Sequence, residues 1–574
     1  MGCNGGGGGA GGGTSTATGT ATATATGTTA VTATTAAADL PPQDPCEVEH
    51  GPGWATFDGD SCACLPGRTL CGSDCVDLAS DATHCGTCNT ACRPGLSCVL
   101  GTCGGLLPSG SPVIRRLSGG DPQAACSWAT EAVPEVSVNA APGEPDAAVA
   151  YLLFSADAGA VDAYYNWRLP SGDWTTPLHL SPDAPMGDGA TDPWSATHGG
   201  TGTEYFVFQG PSGNSLLLAW GTTPAQLAQQ GPPTMPPRIL VSGLADGPSL
   251  VPDLGAPAIY LAYQAFPAFP NPGGPPRSLL RRYAPCEAAD LGGPGCPEAW
   301  PEPVEMFSPL PAAAGHVSVA VNPCTHHAIA AVARVANDEY RAIYLFIDTS
   351  GGFPFGEKKL DALPVASNGP CAGKRGIPRC NTGTPDCGDF FPCLQINRRV
   401  HLAARYDPED DRCLLYAAYD VVSGDEAFVR LSVLDVTDES LSGADALVER
   451  VDSHGPGQAH RDFLGTVAVD GFTGGVGVFF YRQEDGDPCT TRYLARVRGP
   501  DDVGFSEVPL AGPFPTIEDP HTGSLGHYVR AAGFSRPGTL LASWAQPVPT
   551  ADPACTPCQG GTWSLATFGA EVMP

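Results

Sequence analysis

The chain has 574 residues, room for several domains or for one large repeat domain with small attachments. Glycine (73) and proline (59) far exceed their usual shares, so turns are dense. Lys+Arg is 29 against Asp+Glu 60, a net charge of −31, which speaks against a nucleic-acid-binding surface. No apolar run approaches the roughly 18 residues of a membrane-spanning helix.

The 23 cysteines are unevenly placed. Cys3 stands alone. A dense group follows: Cys46, Cys62, Cys64, Cys71, Cys75, Cys85, Cys88, Cys92, Cys98 and Cys103. A dispersed group follows that: Cys126, Cys286, Cys296, Cys324, Cys371, Cys380, Cys387, Cys393, Cys413, Cys489, Cys555 and Cys558. Each of the two groups is even, as pairing requires, and the odd thiol is Cys3. So many scattered cysteines are simplest to understand as disulfides formed outside the cytoplasm.

Met1-Gly2-Cys3 resembles the end of a bacterial lipoprotein signal, in which a small residue precedes the cysteine that is lipidated. The resemblance implies an apolar leader upstream, a lipid on Cys3 and display on an outer-membrane surface, with secretion as the other extracytoplasmic outcome. Residues 4–45 are almost entirely Gly, Thr and Ala. They hold too little apolar side chain to offset the cost of ordering the backbone, so a disordered tether is expected, with a span of roughly 35 Å.

Residues 46–104 form a cysteine-dense module whose small apolar content requires cross-links. A zinc site built from Cys71, Cys75, Cys85 and Cys88 is the rival reading. The run Cys71-Gly-Ser-Asp-Cys75-Val-Asp-Leu…Cys85-Gly-Thr-Cys88 resembles small Cys-rich modules of surface and secreted proteins of gliding soil bacteria. That resemblance supports export and implies no chemistry.

Residues 105–574 show short apolar alternations separated by Gly, Pro and Asp turns. Seven segments repeat one order: an inner strand, a strongly apolar strand, then a polar-aromatic strand. The inner strands are expected near Glu135, Trp194, Ser249, His316, Arg399, Asp462 and His527. The apolar strands are expected at Ala148–Phe154, Glu204–Phe208, Ala258–Tyr263, Ala328–Ala333, Cys413–Tyr419, Gly477–Tyr481 and Thr539–Trp544. Pro237-Arg-Ile-Leu-Val and Pro303-Val-Glu-Met-Phe read as outermost strands. Pro112-Val-Ile-Arg-Arg-Leu has the same form but no segment before it. It would complete the last segment, which ends at Thr562–Phe568 with only three strands. The expected fold is all-β: a β-propeller of about seven four-stranded blades, closed by the N-terminal strand. A pair of β-sandwiches is the competing architecture, and six or eight blades are the competing counts.

This order of strands resembles sialidase-like repeat propellers. Ser155-Ala-Asp157-Ala-Gly159 begins their Asp-box, but Asp162 stands where tryptophan is required. The resemblance implies a three-arginine clamp for an anionic sugar, for which Arg399, Arg405 and Arg530 are the residues on or near inner strands. It also implies glycoside hydrolysis as one reading. The reading preferred from the residues is a non-catalytic, monomeric binding protein for a surface glycan or protein. A structural envelope protein is the third.

Two sets of residues are candidates for ligand contact. Glu135, His316, His401, Asp462 and His527 begin inner strands and would face a central channel. Phe390 and Phe391 lie in an insertion, 364–397, that carries four cysteines and is the preferred site. Neither an enzyme cofactor nor a nucleotide motif is present. Calcium at the acidic turns Asp407–Asp411 and Glu484–Asp487 is the one cofactor considered. Cys555-Thr-Pro-Cys558 reads as a structural pair rather than a redox motif.

Overall fold

The computed structural model describes the strands named below and, for side chains, mainly residues 245–265, 277–282, 303–306, 316–333, 342–347, 359–367, 399–424, 426–439, 446–455, 460–471, 473–483, 489–516, 538–547 and 568–574, with short gaps. Among the described residues the regular structure is β-strand, and no helix is long and apolar enough to cross a membrane. The chain divides into two compact units, Met1–Gly105 and Leu106–Pro574.

Among the described residues of the first unit three short hairpins are formed. Ala55–Phe57 pairs with Cys62–Cys64, Thr69–Cys71 with Asp74–Val76, and Ser97–Val99 with Thr102–Gly104. Cys71 and Val76 are buried. A disulfide joins Cys71 to Cys88 at a Cα separation of 5.1 Å, and Cys64 is also disulfide-bonded. The bond between Cys71 and Cys88 removes two of the four ligands that a zinc site would have needed.

Among the described residues the second unit is a series of antiparallel four-stranded groups, each built from consecutive strands except the last. The first sheet contains Glu135–Ser137, Ala148–Ser155, Ala160–Trp167 and Leu178–His179. The second contains Thr191–His198, Thr203–Gln209, Ser215–Trp220 and Arg238–Ser242. The third contains Ala245–Asp253, Ala258–Ala265, Arg277–Tyr283 and Val304–Met306. The fourth contains Ser318–Val321, Ala328–Ala336, Glu339–Asp348 and Pro354–Ala362.

The fifth sheet contains His401–Asp407, Arg412–Ser423, Glu426–Asp435 and Leu447–Asp452. The sixth contains Arg461–Val469, Val476–Glu484, Asp487–Arg498 and Ser506–Pro515, and a single parallel pair, Ala427 with Arg461, joins it to the fifth. The seventh runs Arg530–Gly533, Leu540–Pro549, Trp563–Val572, and is completed by Val113–Arg116 from the start of the unit. The insertion between the fourth and fifth sheets carries a small hairpin of its own, Gly376–Pro378 with Cys393–Gln395.

Burial follows strand order. The second strands are apolar on both faces: Ala258–Ala265 is buried throughout, as is the centre of Arg412–Ser423. The fourth strand Leu447–Asp452 alternates between exposed and half-buried positions. Such a gradient places the second strands between neighbouring sheets and the fourth strands at the surface. The apolar clusters lie between consecutive sheets. Ala262, Val319, Val332 and Phe346 fill the space between the third and fourth, and Leu345, Val400, Leu415 and Tyr419 that between the fourth and fifth. Leu431, Val467 and Phe480 join the fifth to the sixth. Phe463, Tyr481, Tyr493, Trp544 and Phe568 join the sixth to the seventh as a run of rings 4.8 to 6.0 Å apart.

The first strands of the sheets lie against one another in sequence order, and the first strand of the seventh sheet lies against that of the first. Hydrogen bonding closes none of the described sheets on itself.

Candidate functional site

In the first strands of the second, third and sixth sheets the chain departs from regular pairing. Register shifts fall between Thr191 and Trp194, between Asp246 and Ser249, and between Phe463 and Thr466. Bulges of this kind re-aim side chains at the rim of a sheet. In the third sheet the shift contains Gly247, whose φ is +56°. A Cβ there would lie 2.5 Å from His316 Nδ1 and 3.3 Å from Arg399 Nη2. Glycine is needed for the left-handed backbone and for the space. The starts of three consecutive first strands therefore meet at one point, with Gly247 as the floor on which an imidazole and a guanidinium rest.

His316, Arg399 and His401 are all buried, and Arg399 is among the largest fully enclosed side chains. Each makes interactions within the chain. An imidazole beside a guanidinium provides directed N–H donors and positive charge, which suits a carboxylate or another anionic group. Sequence reasoning had His316 and His401 as candidates and Arg399 only as a clamp residue. Gly247 was missed. The one local clue was Asp246-Gly247-Pro248, which marks a turn and does not name what packs on it.

Asp462 is placed differently. It is fully buried and accepts from Arg482 Nε at 2.7 Å, Arg482 Nη2 at 2.9 Å and Ser453 Oγ at 2.6 Å. Arg482 also holds Glu507 at 2.9 Å. Burial opposes the Arg482 charge, but the bonds from Asp462 and Glu507 outweigh it and leave its pKa raised. Asp462 thus belongs to an ion network within the sixth sheet, reaching Ser453 at the end of the fifth.

Arg405 lies toward the far end of its strand. It donates to Tyr416 Oη at 3.0 Å and Asp407 at 3.2 Å, and it packs on Gly474. It therefore does not join Arg399 in a clamp. Arg530 opens the first strand of the seventh sheet, and Glu135 that of the first; the side chains of both lie outside the described residues. His527, Phe390, Phe391 and Cys3 also lie outside them, as do residues 156–159 of the partial Asp-box.

The acidic turns are occupied by the chain itself. Asp407 takes Arg405 and the Glu409 amide, Asp411 takes Tyr406 Oη at 2.7 Å, and Asp410 takes Arg412. Asp487 takes Thr490 Oγ1 at 2.6 Å and the Cys489 amide at 2.9 Å, bonds that hold its pKa below the ordinary carboxylate value. Among the described residues no three His, Cys, Asp or Glu side chains are grouped as a metal site.

Residues 58–105 match the Stigma-specific STIG1-like protein family. No curated protein sequence matches the chain. Among solved structures, the chain is similar to the Hadza microbial sialidase Hz136, at 10% identity and a TM-score of 0.36, over 72% of this chain and 73% of that one. It is similar to polysaccharide lyase Uly1 at 9% identity and a TM-score of 0.38, over 74% and 88% of the two chains. It is also similar to a subtype N11 neuraminidase-like protein of A/flat-faced bat/Peru/033/2010 (H18N11), at 9% identity and a TM-score of 0.33, over 80% and 94%. Scores at this level carry no argument about this chain's chemistry.

Proposed function

We propose that residues 105–574 are a seven-bladed β-propeller and that the protein is an extracytoplasmic binder, displayed through a lipid on Cys3 or secreted, that holds a glycan or protein ligand without transforming it. The propeller reading is supported by the repeated four-stranded sheets and by the N-terminal strand completing the last of them. Separate apolar cores between consecutive sheets also support it, since a sandwich has one core between two sheets.

The observation that carries the binding reading is the meeting of Gly247, His316 and Arg399 at the starts of three first strands. Buried donors gathered at the centre of a ring of sheets are the usual furniture of a ligand site, and an anionic sugar or an acidic side chain matches their charge. The disulfides fit an oxidising compartment. The insertion that carries Phe390 and Phe391 is assigned a share of the contact, as an aromatic surface.

A glycan array that includes uronates and sialosides, run beside a panel of glycosidase assays, tests this. Retention without product release is the expected result. Turnover of an arrayed sugar would replace the binding reading with hydrolysis. If Arg399→Gln binds an arrayed sugar as well as the unaltered chain does, the strand starts are not the site.

A further inference from the structure

The fourth sheet's first strand is short, Ser318–Val321, and both its ends are held by the same two neighbours. At its start His316 packs on Gly247 of the third sheet beside Arg399, which leads into the fifth. At its end the turn 322–327, Asn-Pro-Cys-Thr-His-His, reaches both sheets again. His326 Nδ1 meets Asp253 of the third sheet at 2.9 Å, and Tyr260 Oη donates to the His326 carbonyl at 2.8 Å. On the other side Asn322 Nδ2 donates to the Val436 carbonyl at 2.8 Å and to Glu439 at 3.1 Å. His327 Nδ1 meets Glu439 at 2.8 Å, and Thr325 donates to the same carboxylate.

A disulfide, Cys324–Cys413, crosses this contact. Cys413 is a register partner of Tyr406, on the strand that begins at His401 just after Arg399. The covalent link therefore runs from the turn after Ser318–Val321, the strand that His316 leads into, to the partner of His401–Asp407, the strand that Arg399 leads into. Its two ends differ in access: Cys324 is exposed and Cys413 is fully buried.

We propose that the 322–327 turn and its disulfide form a redox-sensitive positioning device that sets the His316–Arg399 pair. This rests on the binding reading only for its purpose, not for its test. A small-molecule thiolate attacks Cys324 Sγ, the S–S bond breaks, and its electron pair leaves on Cys413 Sγ as thiolate. A second thiolate attacks the mixed disulfide, giving the oxidised small-molecule disulfide and the Cys324 and Cys413 thiols. The polar contacts to Asp253, Val436 and Glu439 remain, so the fold survives while the strand between the two anchors gains freedom.

The full chain is titrated with dithiothreitol, and thiols are trapped with N-ethylmaleimide on denaturation. Among the cysteines of the second unit, Cys324 and Cys413 should be trapped before Cys371 and Cys489, which are also disulfide-bonded. In the Cys324→Ser, Cys413→Ser double variant the His316 ring resonances should move. Amide exchange in 317–321 should quicken at least tenfold, while 540–544 exchange unchanged. Earlier trapping of Cys371 or Cys489, an unmoved His316 resonance, or loss of protection throughout the unit would each overturn the proposal. None of these readouts needs a ligand, so a blank glycan array would count against the binding reading alone.

Discussion

At the scale of single residues, position decides chemistry more than residue type does. Gly247 illustrates this. Adding a methyl group there meets His316 at 2.5 Å in a backbone region that L-residues avoid. Gly247→Ala should destabilise the second unit by about 1–3 kcal/mol in denaturant unfolding and move the His316 ring resonances. Asp487 gives a pH-dependent case. Its folded pKa is lowered by Thr490 and the Cys489 amide, below the unfolded value of about 3.9. The stabilisation is therefore present above pH ~4 and is lost as pH falls through the lower, folded value. Thr490→Val should raise the Asp487 carboxyl titration, followed by carboxyl NMR, back toward the unfolded value.

At the scale of elements, the fifth and sixth sheets are joined by charge as well as by apolar packing. Ser453 follows the last strand of the fifth sheet. Its Oγ donates to Asp462 and accepts the Val429 amide at 3.0 Å, while Arg496 donates to its carbonyl at 2.9 Å. Burial pushes the Arg496 pKa down. Asp420, also buried, accepts the amides of Leu464 and Gly465 at 2.9 Å, where the sixth sheet's first strand bulges. These groups are satisfied only as sets. Arg482→Met should cost about 3–5 kcal/mol, because it strands the Asp462 carboxylate in the interior. The double variant Arg482→Met, Asp462→Asn should recover part of that loss in the same chemical unfolding experiment. A cost of the double variant equal to the sum of the two single ones would show that the groups act independently.

At the scale of the whole second unit, the order of sheets depends on a strand from its beginning. Val113–Arg116 pairs with Phe568–Glu571 and covers the edge that the seventh sheet would otherwise expose. Deleting residues 106–118 should lower the melting temperature and promote association, both measurable by calorimetry and size-exclusion chromatography. An equal melting temperature would mean that the strand is dispensable. The first unit has a separate response. With few apolar residues in its sequence and a disulfide at Cys71–Cys88, it should lose structure on reduction before the second unit does, as hydrogen exchange can follow.

The sequence by itself determined the strands. Alternating and continuous apolar runs put six of the seven expected second strands inside observed ones, from Ala148–Ser155 to Val476–Glu484, and the seventh, Thr539–Trp544, starts one residue before the observed Leu540–Pro549. The unpaired Pro112-Val-Ile-Arg-Arg-Leu run named the partner that Trp563–Val572 takes. Local period and turn chemistry suffice for that, because a strand's pattern records which of its faces is buried. Which side chains meet was decided by the tertiary structure alone. His316, Arg399 and Asp462 look alike in sequence, as polar residues opening inner strands. Packing set the first two on Gly247 and drew the third to Arg482, 20 residues on. Nothing in the spacing of Asn322 and Glu439 announces their contact across 117 positions. Such pairs form when separate sheets dock and buried polar groups must each find a partner, a condition set by the assembled interior rather than by neighbours along the chain.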